Sequence, residues 1–372
     1  VISLKIVHCA DVHLDSAFAA YESSVSDKRR LALRSAFSTL TLYAKTEGVK
    51  LFIISGDLFD SECVTKDTVQ MLSREMLSIP DCKFVITPGN HDPYNSDSPY
   101  RLFEFPPNVY IFKTPEISFF EFPELGARVY GYAFTSDTYT ARPIKDFKLP
   151  DDGFDGLNIL AAHCDFGHET SYYAPITDED IQNSGFDYIA MGHIHKACPV
   201  SKLGKTLYAY SGCLEGRSFD ETGIKGAVVG ELSKDKAALK HRRFCSKYYE
   251  KVTCDVSGSR SFSDCVPGIL EKCKDFGNDC ILRITLDGIT STDFCFDKQS
   301  ISSVMPNVSD VEVRDETLAL LDVNNLEQSA TLSGEFYRRL KDRLMSDDEN
   351  TRKTAAGALR FGLRAINGMD IK

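Results

Sequence analysis

Residues 51–60 read Leu51-Phe52-Ile53-Ile54-Ser55-Gly56-Asp57-Leu58-Phe59-Asp60, an apolar run that stops abruptly in a glycine and an aspartate. A run of this length reads as a buried strand, and the polar stop sets its acids just past the carboxyl end. The pattern recurs on both sides. Strands are predicted over Leu4 to Cys9, Leu51 to Ser55, Phe84 to Thr87, Val109 to Phe112, Arg128 to Tyr132, Leu157 to Ala161, Tyr188 to Met191, Thr206 to Tyr210 and Gly226 to Glu231. Between them, Lys28 to Glu47 and Lys66 to Leu77 space their apolar residues by three and four, as amphipathic helices do. The alternation predicts an α/β fold from residue 1 to about 245, and open α/β sheets bind ligands beyond the carboxyl ends of their strands.

The chain has 372 residues, more than one hydrophobic core usually serves, so two domains are expected. After Lys247 the pattern changes to Tyr248 to Val256, Phe262 to Cys273, Cys280 to Leu286 and Val311 to Arg314. This predicts a small α/β cap domain over 246–325. Residues 326–372 read as a helical C-terminal segment carrying Arg338, Arg339, Lys341, Arg343, Arg352, Lys353, Arg360 and Arg364.

Apolar residues make up 42% and charged residues 26%, and no stretch approaches the roughly 20 apolar residues of a membrane span. The opening Val1 to Val7 reads as a strand rather than an export signal. Twelve cysteines are scattered without any C-x-x-C, several inside strands (Cys9, Cys254, Cys295), which predicts reduced thiols and a cytoplasmic location. A net charge of −11 argues against a globally basic protein that reads nucleic-acid sequence; any nucleic-acid contact must come from local patches.

The chemistry lies in the polar stops. Asp11-Val12-His13 follows the first strand, and spacing by two would put a carboxylate and an imidazole on one side of an extended backbone. Asp57 can reach forward to bridge two cations, which such sites hold about 3.5–4 Å apart. Gly89-Asn90-His91-Asp92 sets an amide oxygen beside an imidazole, and Asn adds no negative charge. His163 follows another strand, and His193-Ile194-His195 the next. Five of the eight histidines thus stand at strand ends that can converge. The other three receive plainer readings: His8 has the wrong parity and is structural, His168 is a loop residue, and His241, among Lys240, Arg242 and Arg243, is on the surface.

With D-V-H, G-D-L-F-D, G-N-H-D, the lone His163 and G-H-I-H in place, residues 1–245 resemble the calcineurin-like metallophosphoesterase superfamily. The opening H-C-A-D-V-H-L-D-S-A-F and the S-G-C-L-E-G-R-S-F-D-E-T-G-I-K-G of 211–226 are similar to the SbcD and YhaO type of DNA repair exonuclease. The resemblance implies a four-layer αββα sandwich of two mixed β-sheets flanked by helices, with the cap domain after it. It implies one metal on Asp11, His13, Asp57 and His195, and a second on Asp57, Asn90, His163 and His193. Manganese is the metal the family commonly uses, and mixed nitrogen and oxygen ligands suit manganese, iron or zinc better than magnesium. A hydroxide shared by the metals would attack phosphorus in line, with His91 assisting the leaving group and Asp60 orienting His91.

Protein phosphatases of the superfamily carry an arginine after the second aspartate of G-D-x-x-D and a glutamate after G-N-H; here those positions are Ser61 and Asp92. Those residues speak against a protein phosphatase, and the resemblance to the SbcD and YhaO type implies phosphodiester hydrolysis, by a DNA exonuclease or endonuclease of repair or recombination. Lys196, Arg217 and Lys225 are the candidate phosphate contacts. The competing readings are a small-molecule or cyclic-nucleotide phosphodiesterase, a protein phosphatase and a non-catalytic scaffold. The resemblance also implies an SbcC-like coiled-coil ATPase as partner, and a homodimer. Leu359, Leu363 and Ile366, at helical spacing beside Arg360 and Arg364, would either dock on a partner or on DNA, or pack within the chain itself.

Overall fold

A computed structural model describes residues 3–19, 23–60, 64–234, 236–290, 305, 308–319 and 323–366. Ser61, Cys295 and the side chains of Lys353 and Arg364 lie outside the described residues. The chain divides into two compact units, Val1–Tyr248 and Tyr249–Lys372.

The first unit holds two six-stranded sheets. One runs in the order β12-β11-β1-β2-β3-β4, with β1 (Leu4–Cys9), β2 (Leu51–Ser55), β3 (Lys83–Thr87), β4 (Val109–Ile111), β11 (Gly226–Leu232) and β12 (Ala237–Arg243). The other runs β5-β6-β7-β8-β10-β9, with β5 (Ser118–Phe122), β6 (Ala127–Gly131), β7 (Leu157–His163), β8 (Tyr188–Gly192), β9 (Ser201–Leu203) and β10 (Thr206–Tyr210). In the first sheet β1 to β4 are parallel, with β11 and β12 added antiparallel on the β1 side; in the second β6, β7, β8 and β10 are parallel, with β5 and β9 antiparallel at the two edges.

Burial on both faces explains why the central strands are mostly apolar. Leu4, Ile6, Leu51, Ile53 and Val85 of the first sheet meet Val129, Ile159, Ala161, Tyr188 and Ala190 of the second in a dry layer between the sheets. On the outer face of the first sheet, Phe52, Ile54 and Phe84 pack on Leu33, Phe37 and Leu40 of α1 (Ser23–Glu47) and Leu72 and Met76 of α2 (Lys66–Leu77). The second sheet's outer face packs Leu160, Ile189 and Met191 against Ile144, Ile181 and Phe186. Four layers result, the αββα sandwich expected. Strand alternation turns His8 into the middle layer, where it is buried between the Tyr188 hydroxyl (2.8 Å) and the Met191 carbonyl (3.1 Å).

The second unit has a three-stranded sheet of β13 (Tyr248–Asp255), β14 (Cys280–Asp287) and β16 (Asp310–Asp315), and a two-stranded ladder of β15 (Ile289–Thr290) with β17 (Leu318–Ala319). The helix Phe262–Cys273 joins β13 to β14. Helices Val323–Gln328, Leu332–Leu344 and Glu349–Ile366 close the chain. Leu359 and Leu363 are buried with Tyr337, Phe336 and Leu340, so that apolar stripe is occupied by the chain's own helices. All ten cysteines among the described residues are free thiols. No helix among the described residues is long and apolar enough to cross a membrane.

Candidate metal centre

The parallel strands β1, β2, β3, β7 and β8 end at one edge of the sandwich, and each delivers its polar stop there. The backbone does this differently from simple strand alternation. Asp11 and His13 lie past the end of β1 in left-handed conformation (φ 51° and 49°), as do Asp57 (52°) and His193 (101°). Non-glycine residues seldom adopt such angles, which cost of order 1–3 kcal/mol each and cluster at functional sites. Neighbouring loops hold them: Asp11 N–H donates to the Gly56 carbonyl (3.1 Å), His13 N–H to Asp57 (2.9 Å) and Leu14 N–H to Leu58 (2.9 Å).

Glycine is required where the two sheets close on each other. A Cβ on Gly56 (φ +88°) would lie 2.1 Å from His163 Nδ1, and one on Gly192 would lie 1.9 Å from the Ser55 carbonyl oxygen. Only backbone without a side chain lets His163 and the His193 loop approach β2.

Three groups of ligand-type atoms, each within 4.8 Å of one another, result: Asp11, His13 and His195; Asp11, Asp57 and His163; and His13, Asp60 and His91. Asp11 is common to the first two, and Asp57 Oδ2 of the second lies 3.7 Å from His13 Nε2 of the first as well as 3.5 Å from His163 Nε2. His195 Nε2 is 3.2 Å from His13 Nε2 and 3.7 Å from Asp11 Oδ1. Asn90 Oδ1 is 2.8 Å from His163 Nε2. His193 belongs to none of the three groups; its ring lies 5.2 Å from that of His163 and 4.4 Å from that of Tyr173, and its N–H donates to both oxygens of Asp11 (3.1 Å).

Divalent cations fit this donor set. His163 Nδ1 is 3.0 Å from the Ser55 carbonyl, an acceptor, so Nδ1 carries the proton and Nε2 a lone pair. That lone pair faces the Asn90 oxygen and the Asp57 carboxylate with no proton to share among them, an arrangement a cation satisfies. Burial drives the His163 and His193 rings down to about 3 and His13 well below its ordinary value, leaving neutral imidazoles able to coordinate. Burial also pushes the Asp11 carboxyl up to about 7 and Asp57 up to about 6, a penalty that adjacent cations would relieve.

At the rim, His91 Nδ1 is 3.3 Å from Asp60 Oδ1, and its own N–H donates to Asp57 Oδ1 (2.9 Å). The hydrogen bond between them raises His91 and holds Asp60 below the usual carboxylate range, so the pair favours an imidazolium on a carboxylate. The His91 side chain is 46% exposed, at the open side of the site. Arg217 lies between Glu221 (2.9 Å) and Asp60 (3.8 Å). Lys196 is exposed. Lys225 is buried, with its ammonium on the His195 carbonyl (3.1 Å), where it braces the loop.

Sequence reasoning missed three carboxylates. Asp92 is fully buried and accepts from the Asp57, Phe59 and Gly89 amides (3.2, 3.1 and 2.7 Å) and the Tyr100 hydroxyl (2.6 Å), tying two ligand loops together. Asp15 accepts from Thr65, Thr68 and Arg34. Glu221 accepts from His195 (2.7 Å). All three stand inside quoted motifs, but the partners that matter lie far along the chain: Thr65 for Asp15, Asp57 and Phe59 for Asp92, and His195 for Glu221.

The calcineurin-like phosphoesterase profile matches residues 4–197. The uncharacterised metallophosphoesterase YhaO of Bacillus subtilis is 25% identical over 296 residues, covering 77% of this chain and 72% of that protein. The DNA double-strand break repair protein Mre11 of Methanosarcina mazei is 26% identical over 272 residues, 68% of this chain and 40% of that protein; the chain spans about two fifths of that relative's length. Among solved structures, a dimetal phosphatase from Danio rerio matches with a TM-score of 0.40 at 12% identity, over 65% of this chain and 96% of that one.

Proposed function

The chain belongs to the calcineurin-like phosphoesterase family, and from that premise we propose that it is a two-metal phosphodiester hydrolase acting on DNA, an exonuclease or endonuclease of the SbcD type. Membership makes it a metal-dependent phosphoesterase. The observation that carries the reading is Asp57 Oδ2 standing within 3.7 Å of His13 and 3.5 Å of His163, one carboxylate serving two clusters.

In this reading Asp11, His13, Asp57 and His195 hold one divalent cation, and Asp57, Asn90, His163 and His193 hold the other, with manganese preferred. The cations, when bound, polarise the phosphoryl oxygens and lower the pKa of coordinated water. The chain's own residues do the rest. His91, kept protonated by Asp60, donates a proton to the leaving oxygen at the open rim. Arg217 and the exposed Lys196 contact backbone phosphates; Lys225 supports them by bracing the His195 loop.

An acid group on the solvent side suits a polymer better than an enclosed small ligand, and the likeness to a protein named for double-strand break repair supports DNA as that polymer. Repair or recombination, a coiled-coil ATPase partner, homodimerisation and a cytoplasmic site of action complete the proposal. Manganese-dependent release of nucleotides from double- and single-stranded DNA tests it, with cyclic nucleotides and phosphoproteins in parallel. Turnover of the latter two with DNA left intact would replace the nuclease with another phosphoesterase.

A further inference from the structure

The stretch 211–226 contributes none of the ligands proposed above, yet it wraps closely around one of them. Lys225 Nζ, the Cys213 amide (3.2 Å) and the Cys213 thiol (3.5 Å) all donate to the His195 carbonyl. Glu215 fastens the same stretch farther along, accepting from the Ser246 amide (2.7 Å), the Ser246 hydroxyl (2.9 Å) and the Lys247 amide (3.2 Å). At its centre is Glu221, whose side chain is only 10% exposed. Its Oε1 faces His195 Nδ1 at 2.7 Å and also takes Arg217 Nε (3.1 Å) and a terminal guanidinium nitrogen (2.9 Å). Its Oε2 takes the Arg217 amide (2.7 Å).

We infer that Glu221 is a positioning residue that decides which nitrogen of His195 is free to bind metal, resting this on the two-metal reading above. An ionised carboxylate can only accept, so a 2.7 Å contact requires the proton on Nδ1. In the neutral ring the lone pair then sits on Nε2, the atom facing Asp11 and His13. Arg217 makes the choice consequential. Its guanidinium lies 3.3 Å from the same Nδ1 and can only donate. While Glu221 is present, both donors share its Oε1; with Glu221 removed, Arg217 becomes the nearest partner of Nδ1 and the proton moves to Nε2. The ligand atom would thereby become a donor aimed at the cation site. The same carboxylate keeps the Arg217 head pointed toward Asp60 (3.8 Å) and Ser16 (3.4 Å), linking the ligand side of the centre to the His91 side.

The test uses the full chain, ¹⁵N-histidine labelled and stripped of metal, at an alkaline pH at which the ¹⁵N shifts themselves show a neutral ring, with His195→Gln assigning the signal. Wild type should show Nδ1–H at His195, and Glu221→Ala should show Nε2–H with the manganese affinity measured by calorimetry lowered about 10–100-fold, the range for outer partners of metal-binding histidines. If the alanine variant does not fold, Glu221→Met fills the space without an acceptor and carries the same expectation. An unchanged tautomer, or manganese affinity within twofold of wild type, overturns the inference. A wild type that binds no manganese would instead sink the two-metal reading, and the tautomer measurement would still decide the role of Glu221.

Discussion

Replacing Asp92 should loosen the metal loops before it touches any ligand. Its buried carboxylate receives three backbone amides, from Asp57, Phe59 and Gly89, and the Tyr100 hydroxyl. Each such bond has a net worth of about 1 kcal/mol, and a donor left buried without a partner costs roughly 1–3 kcal/mol. Asp92→Ala should therefore destabilise the first unit by about 4 kcal/mol, a large share of the 5–15 kcal/mol typical of a domain. Asp92→Asn keeps one accepting oxygen but turns an NH2 toward a donor, for a loss of about 2 kcal/mol. Tyr100→Phe removes a single bond and should lose about 1 kcal/mol. The direct assay is hydrogen exchange at the Asp57, Phe59 and Gly89 amides of chelator-treated protein. At tenfold per 1.4 kcal/mol, protection there should fall by about a thousandfold in the alanine variant. Protection within threefold of wild type, together with an unchanged urea midpoint, would refute the clamp.

His91→Asn should lower kcat on DNA by about 10²–10⁴-fold at unchanged manganese affinity, because the backbone N–H that binds Asp57 survives. The loss should shrink on a p-nitrophenyl ester, whose leaving group needs no proton; equal losses on both would remove the acid role. Gly56→Ala would place a methyl 2.1 Å from His163 Nδ1 in left-handed backbone; about 1–2 kcal/mol of backbone strain, roughly 1–3 kcal/mol more from the overlap and a metal content falling from two ions per chain toward one are expected, read by urea unfolding and elemental analysis. Burial lowers His8 to about 3, so the unfolded chain takes up its proton first, near 6.5. Stability from neutral His8 is thus complete above about pH 6.5 and declines as pH falls, by up to about 1.4 kcal/mol per unit. Urea midpoints at pH 7, 6 and 5 should fall more steeply for wild type than for His8→Gln, and parallel slopes would contradict this.

The central strands were legible because burial on both faces leaves nearly continuous apolar text, as in Leu51 to Ile54 and Ile159 to Ala162. The edge strands β5, β9 and β12 were not. In β12, Ala-Ala-Leu-Lys-His-Arg-Arg alternates half-buried with exposed positions up to Arg242 and reads as a charged surface run, so His241 was expected outside although it is half-buried. The site divides the same way. His13 and Asn90 follow strand ends and His163 is the last residue of β7, whereas Asp92 and Glu221 reach the Asp57 and Phe59 amides and His195, distant partners that no local spacing discloses. Lys225 looked like a free cation near the site; its burial under the His195 carbonyl depends on the chain returning 30 residues later.

The same distinction explains why this centre exists at all. Taken alone, its parts oppose folding: four non-glycine residues in left-handed backbone, three buried carboxyls pushed toward neutrality and a lone pair facing oxygens. Strain of this kind persists only where the surroundings over-determine it. Here they do, through hydrogen bonds between the β1 and β2 loops, the Asp92 clamp on the β2 and β3 loops and the 211–226 wrap on the β8 loop. The first two restraints join strand ends within the first sheet, and the third ties the β8 loop of the second sheet to the stretch that leads from β10 into β11. Ligands from the two sheets are therefore held together only where both sheets meet at this edge, and cations bound there would offset the cost of the buried carboxyls.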